Sequence, residues 1–162
     1  MFYCRAELRE QLNLQQFGWH MVEAVGNYDA MHWEPARSAR RFECGSPNML
    51  GIHALSASLS LLLEVGMNQV EKLVLEKSSR LIERLSADVR FELLSPTQIG
   101  HYAGIVNCRH RGADSGRLVR ALKDRQIFCA VRAGGLRFSP HFYTRNEQLE
   151  KALDVLFELA PR

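Results

Sequence analysis

Hydrophobic residues recur at helical spacing on both sides of Gly66, and this pattern limits the possible folds more than any other feature of the sequence. The segment Met49–Val65 is rich in leucine, and residues 67–85 repeat apolar side chains every three or four positions. This spacing places the apolar side chains on one face of a helix. A glycine is the usual residue just beyond a helix end. The sequence therefore predicts two long, consecutive helices.

Shorter segments with alternating or capped patterns follow the two helices. They predict strands at 89–93, 103–109, 127–132 and 136–139, a helix from Asp114 or Ser115 to Lys123, and a last helix opened by a capping box at 144–147. The resulting order, ααββαββα, predicts an α+β fold in which helices cover a small, mostly antiparallel sheet.

The first part of the chain is less regular. Residues 2–4 are predicted to form a short strand and residues 6–12 a short helix, after which clear periodicity is lost among Trp19, Tyr28 and Trp33. Irregular stretches of this length are uncommon inside a compact domain unless they are functional or lie against a partner.

Composition narrows the class of protein. The chain has 162 residues, of which 46% are hydrophobic and 24% charged, and a net charge of +3. A sizeable core is possible, and the charge is too small to indicate nucleic acid or a membrane as a partner. The N-terminus has no signal peptide pattern, and the four cysteines form no CxxC pair. We therefore expect a cytoplasmic protein with reduced thiols and no metal site.

The turn Gly45-Ser46-Pro47-Asn48 precedes the first long helix. Free N–H groups and the helix dipole attract an anion there, and the Ser46 hydroxyl can donate to a phosphate oxygen. The alternative is that Ser46 or Asn48 only caps the helix.

Arg137 lies between two apolar residues of a predicted strand, so it faces away from the side that they bury. A guanidinium on a rigid strand suits bidentate binding of a carboxylate. The alternative is an arginine on a solvated sheet face. Nearby His141 could support such a site or lie on the surface.

Other chemistry finds little support in the sequence. Cys108 and His110 would share one strand face, but two ligands do not make a metal site. The arginines at 37, 40, 41, 109 and 111 lack the interleaved aromatic residues of a nucleic-acid interface. No GxSxG, GxGxxG or Walker motif is present, and no residue of this chain is assigned a catalytic role.

Three stretches together resemble one family. They are FYCRAELREQL with the Phe-Gly-Trp that follows it, RRFECGSPNMLGIHAL, and AGGLRFSPHFYTRNEQLEKALDVL. In residue types and separation they are similar to the C-terminal part of class V aminotransferases. These are fold-type I pyridoxal-phosphate enzymes that include cysteine desulfurases, kynureninase and isopenicillin N epimerase-like proteins.

The resemblance implies roles for both candidate sites. Ser46 would bind the phosphate of pyridoxal 5'-phosphate held by the partner subunit, and Gly45 would allow the backbone to approach closely. Arg137 would bind the α-carboxylate of an amino-acid substrate. Residues 1–46 would be a remnant of the large domain at the dimer interface, and residues 47–162 the small C-terminal domain.

Two departures from the family pattern matter. Cysteine desulfurases carry a nucleophilic cysteine on a loop before the carboxylate-binding arginine, whereas here Gly134-Gly135 runs directly into Leu136-Arg137. This favours an epimerase-like or general aminotransferase relative. The Schiff-base lysine of the family would also precede residue 1, and the lysines present, at 72, 77, 123 and 151, match no family motif.

We therefore expect a truncated, C-terminal part of a pyridoxal-phosphate enzyme that does not catalyse alone. It would form a homodimer or associate with a chain that carries the large domain. A non-catalytic binding or regulatory module with the same fold is the alternative, and a nucleic-acid-binding surface ranks last.

Overall fold

The computed structural model describes residues 2–161, which divide into two compact units. One unit extends to Leu59 and the other begins at Ser60, within a helix. Each unit is described by itself.

The first unit contains little regular structure. Helix α1 spans Ala6–Arg9, and a short 3-10 helix spans Ala39–Phe42. The predicted helix at 6–12 is therefore present but shorter. The predicted strand at 2–4 is wrong: these residues pair with no strand among the described residues, and the Phe2 side chain remains 62% exposed. A strand needs a partner for its backbone groups, which the local pattern cannot supply.

A close backbone contact organises this unit. A Cβ atom on Gly18 would lie 1.9 Å from the carbonyl oxygen of Cys44, so only glycine fits there. Met21 and Ala36 are fully buried beneath the irregular loops. The irregular first part of the chain is therefore held together by contacts among its own residues, although most of its large aromatic side chains remain exposed.

Helix α2 spans Met49–Val65, as predicted, and has no buried residue. Its first part belongs to the first unit and its last turns to the second. No single helix among residues 2–161 is long and apolar enough to cross a membrane. Only α2 and the helix that follows it, bent by 86°, reach the required length and composition as a pair.

The second unit contains the remaining elements in the predicted order. They are α3 (Met67–Ser86), β1 (Phe91–Leu93), β2 (Val106–His110), α4 (Ser115–Asp124), β3 (Ala130–Arg132), β4 (Gly135–Phe138) and α5 (Asn146–Leu159). The helices match the sequence pattern closely, whereas the first three strands are shorter than predicted and β4 is shifted by one residue from the predicted 136–139. The α+β prediction is confirmed.

The four strands form one antiparallel sheet in the order β1-β2-β4-β3. In the central pair, Val106 is opposite Phe138 and Asn107 is opposite Arg137. Because side chains alternate between faces, this register places Asn107 and Arg137 on the same face.

The opposite face carries the core. Helices α3 and α4 pack against it, and α5 packs against both of these helices. The fully buried side chains there include Leu81, Leu85, Val106, Cys108, Leu122, Leu136, Leu153 and Leu156. This sheet face is consequently closed by helices, and polar chemistry on the sheet must use the other face.

Helix caps agree only in part with prediction. Asp114 caps α4, because its carboxylate accepts a hydrogen bond from the Arg117 N–H at 2.8 Å. The predicted Thr144 cap of α5 is wrong: its hydroxyl oxygen accepts from the His141 N–H, and the N-cap position is occupied by Arg145, which makes no side-chain cap hydrogen bond. The Gln148 side chain accepts from the Arg145 N–H instead. Thr144 therefore stabilises the turn at 141–144 and does not cap α5.

Replacing Leu153 with alanine tests the core. Leu153 is fully buried on α5, so Leu153→Ala should lower the free energy of unfolding by about 2–5 kcal/mol. Urea denaturation followed by circular dichroism measures the change. Ile99→Ala is the control, because this side chain is 88% exposed, and its effect should stay within about 0.5 kcal/mol. Equal effects of the two changes would contradict the described core.

Candidate functional site

Arg137 occupies the centre of β4 on the sheet face away from the helices. Its neighbours Leu136 and Phe138 are buried in the core, whereas Arg137 is partly exposed. The predicted orientation of Arg137 is thus observed. Its Nε atom is buried and has no hydrogen-bond partner among the described residues. A guanidinium held in this way can still present its outer nitrogens to a carboxylate.

The turn before Arg137 is as short as a hairpin turn can be. Arg132 pairs with Gly135, which leaves Ala133 and Gly134 as the turn, with φ angles of 48° and 74°. Positive φ at both central positions is typical of type I′ turns. The Ser115 hydroxyl donates to the Gly134 carbonyl oxygen at 2.8 Å and ties the turn to α4. No inserted loop separates β3 from β4.

The cysteines near this sheet are poor nucleophiles. Burial raises the pKa of the Cys108 thiol to about 12. It also raises the pKa of Cys129, which precedes β3 and is only partly exposed. A thiol with a raised pKa stays protonated at neutral pH, and the protonated form does not attack. Neither residue replaces the missing loop cysteine.

Within the Gly45–Asn48 turn, the residue that caps α2 differs from the residue that is available for an anion. The Asn48 side-chain oxygen accepts a hydrogen bond from the Gly51 N–H at 2.9 Å, so Asn48 is the residue that caps α2. Ser46 is exposed, and its hydroxyl has no hydrogen-bond partner among the described residues. A Cβ atom on Gly45 would meet nothing within 4 Å, so space above the turn is open. The Ser46 hydroxyl is therefore available for a ligand.

Other candidate residues are engaged within the chain. His110 is buried, accepts from the Gly112 N–H at Nδ1 and donates from Nε2 to the Pro161 carbonyl oxygen. The exposed His141 ring stacks on Tyr143 with centroids 4.3 Å apart. Among residues 2–161, no three His, Cys, Asp or Glu side chains are grouped to hold a metal ion.

Some arginines of the basic clusters also form contacts within the chain. The Arg40 guanidinium donates to the backbone oxygens of Val22 and Glu23. Arg109 pairs with Glu92 across the sheet at 2.7 Å. These arginines contribute to internal structure.

The lysines lie on helices, as predicted. Lys72 and Lys77 are on α3, and Lys123 and Lys151 are on α4 and α5. Lys77 is buried, and its ammonium group donates to the Leu73 carbonyl oxygen of the same helix at 3.2 Å.

Sequence reasoning missed Asn107. This residue sits directly opposite Arg137, and its amide nitrogen donates to the Arg132 carbonyl oxygen at 2.9 Å. The alternation of Val106 and Cys108 with Asn107 indicated that it faces away from the core. Its position beside Arg137 depends on the strand register, which a single strand does not reveal.

Comparison with solved structures shows the fold. The chain is similar to the apo structure of a cysteine desulfurase from Thermococcus onnurineus NA1, with a TM-score of 0.85 and 23% identity, covering 98% of this chain and 42% of that one. It is also similar to a variant of C-DES with glycine covalently linked to its PLP cofactor, with a TM-score of 0.80 and 20% identity, covering 95% and 40%. The fold is therefore that of pyridoxal-phosphate-dependent transferases.

Comparison of sequences shows the family. The model of aminotransferase class V matches residues 1–151, and the chain belongs to this family. The uncharacterized aminotransferase YcbU of Bacillus subtilis is 29% identical over 155 residues, which cover 95% of this chain and 39% of YcbU. A kynureninase of Shouchella clausii is 27% identical over 152 residues, which cover 86% of this chain and 33% of that enzyme. The chain thus spans less than half the length of these relatives.

Alkylation with iodoacetamide tests the state of the cysteines. At pH 7.5 the Cys108 thiol should react several orders of magnitude more slowly in the folded chain than in urea, because its raised pKa and burial suppress the thiolate. Peptide mass spectrometry measures the labelling, with the partly exposed Cys44 as the internal comparison. Rapid labelling of Cys108 in the folded chain would contradict this account.

Proposed function

We propose that this chain supplies the substrate-carboxylate and cofactor-phosphate contacts of a pyridoxal-phosphate-dependent class V enzyme that acts on an amino acid. Arg137 binds the substrate α-carboxylate, and Ser46, with the open turn at Gly45, binds the cofactor phosphate. The cofactor, when bound, supplies the electron sink for chemistry at the substrate Cα. This chain's residues bind and orient.

The observation that carries the proposal is the state of Arg137. Its side chain is rooted on a central strand, on the sheet face that the helices leave open, and it is partly exposed there. A planar fork of N–H donors matches a carboxylate in two parallel hydrogen bonds. The two-residue turn before β4 keeps the approach to Arg137 free of an inserted loop.

The Ser46 turn supports the second contact. Asn48 already caps α2, and the Ser46 hydroxyl has no hydrogen-bond partner among the described residues. It lies on the N-terminal side of a helix whose dipole favours negative charge. A phosphate there would accept from the hydroxyl, and Gly45 offers no side chain to obstruct it.

We further propose that the catalytic lysine comes from a large domain outside these residues. Lys77 is buried with its ammonium group bound to its own helix, and the other lysines are exposed on helices. The chain then acts as the small domain with residues 1–46 as an interface segment. It works in the cytoplasm, as a homodimer or with a chain that carries the large domain, and it is inactive alone.

The exposed apolar side chains support this need for further protein. Phe2, Trp19 and Trp33 are 62%, 49% and 59% exposed in the first unit. Leu50 of α2 is 83% exposed. Exposed apolar groups of this size are typical of surfaces that another protein covers.

Cofactor titration tests the assignment of the lysine. The purified chain is mixed with pyridoxal phosphate, reduced with borohydride and digested for mass spectrometry. We expect no stoichiometric pyridoxyl adduct on Lys72, Lys77, Lys123 or Lys151. A single adduct at one of them would overturn the assignment of the lysine to a large domain.

The same chain is then co-expressed with the large-domain segment of the Bacillus subtilis relative. Ser46→Ala should weaken retention of the cofactor, and Arg137→Lys should raise KM for the amino acid, each by about tenfold or more, because each removes a charge-assisted hydrogen bond. Ser86→Ala and Arg117→Lys are matched controls on exposed helix positions. If Ser46→Ala leaves cofactor retention unchanged, the proposed phosphate contact of Ser46 is wrong. Failure to retain any cofactor would favour the non-catalytic module.

A further inference from the structure

Asn107 and Arg137 form a directly opposed pair on the open face of the sheet. The antiparallel register of β2 and β4 aligns their Cα atoms. In such pairs the Cβ atoms are about 4.5–5.5 Å apart, so the two side chains are within reach of each other. On β3 the residue opposite Arg137 is Ala130, which has no polar side-chain atom, so a directly opposed group that fixes the guanidinium is expected at position 107.

The orientation of the Asn107 amide is determined by its own hydrogen bond. Nδ2 donates to the Arg132 carbonyl oxygen on β3 at 2.9 Å. To reach it, the side chain passes over Gly135, where a Cβ atom would lie 2.6 Å from Asn107 Oδ1. The glycine thus admits the amide, and the remaining atom of the amide, Oδ1, is an acceptor on the face that carries Arg137.

Two buried polar atoms on this face have no partner among residues 2–161. They are Asn107 Oδ1, which can only accept, and Arg137 Nε, which can only donate. A buried donor or acceptor without a partner is unfavourable, and such atoms are uncommon in folded proteins. The two atoms are chemically complementary, and they belong to residues that face each other across one strand pair.

We propose that Asn107 is a positioning residue for Arg137: its Oδ1 accepts a hydrogen bond from Arg137 Nε–H when the guanidinium binds a carboxylate. The backbone register already aligns the pair, so the contact requires no change of strand pairing. The inference rests on the proposed role of Arg137 in carboxylate binding.

This contact would decide which edge of the guanidinium meets the substrate. With Nε–H engaged by Asn107, the two terminal nitrogens Nη1 and Nη2 form the free edge, and the carboxylate binds end-on through both. A guanidinium that is not held must lose side-chain freedom on binding, at a cost in affinity. Asn107 would therefore orient the substrate without touching it.

Nuclear magnetic resonance of the full chain labelled with ¹⁵N-arginine tests the contact directly. The Arg137 Nε–H signal is assigned from its loss in Arg137→Lys, and its exchange with water is measured with and without 50 mM acetate, roughly the concentration suited to a weak carboxylate probe. We expect acetate to slow exchange of this proton by about tenfold, the effect of one hydrogen bond of about 1.4 kcal/mol. The slowing should be absent in Asn107→Ala.

Asn107→Asp separates the acceptor from the rest of the side chain. The aspartate keeps an acceptor oxygen but loses the donor to Arg132. Because its carboxylate attracts the guanidinium, exchange of the Arg137 Nε proton should be slow in Asn107→Asp even without acetate. It should also weaken acetate binding, because its charge competes for the guanidinium. Asn68→Ala, an exposed asparagine on α3, is the matched control and should change nothing. Circular dichroism verifies that each variant is folded.

The outcomes distinguish the inference from the function on which it rests. If acetate shifts the Arg137 signals equally, with equal slowing, in wild type and Asn107→Ala, Arg137 binds carboxylates and the positioning role is wrong. If Asn107→Asp fails to restore slow exchange, the acceptor role is also wrong. If acetate leaves the Arg137 signals unchanged while Asn107→Ala accelerates exchange, the contact exists and the carboxylate role of Arg137 fails.

Discussion

The close approach of β4 to β2 at Gly135 is the constraint on which the candidate site depends. A side chain at this position would collide with the Cys108 carbonyl oxygen and with Asn107 Oδ1, each 2.6 Å from the added Cβ atom. Without one, the central strand pair closes, Arg137 is held opposite Asn107, and the Asn107 amide crosses to β3. One missing side chain thus sets the sheet register and the surroundings of the arginine together.

The two units bury their apolar side chains to very different extents. The second unit has a continuous core between three helices and one sheet face, and an ion-pair cluster in which Glu150 contacts both Arg80 and Arg84 joins α3 to α5. The first unit buries few apolar residues, Met21 among them, and exposes most of its aromatic rings. The second unit therefore has a core of the kind that a self-sufficient domain requires, whereas the first exposes apolar side chains of the kind that another protein often covers.

The sequence predicted what depends on local periodicity, including α2 and the order of the elements that follow it. It could not decide between Ser46 and Asn48 as the cap, since both residue types suit that position and only the geometry shows Asn48 bonded to Gly51. The strand at 2–4 failed because a strand requires a partner distant in sequence. Asn107 was missed for a related reason: its interest lies in its position opposite Arg137, and that position is set by long-range strand register. The candidate roles of Ser46 and Arg137 came from the family resemblance.

The Ala133-Gly134 turn makes this hairpin a point at which length can change while the sheet stays the same. Its ends are joined by the β3–β4 ladder and tied to α4 through Ser115, so they remain neighbours whatever connects them. Doubling the length of a flexible loop costs only about 0.6 kcal/mol. A chain of this kind can therefore gain or lose a reactive loop beside Arg137 at little cost to its stability. Loop insertions at this turn can therefore change what lies beside the sheet while the placement of Arg137 stays the same.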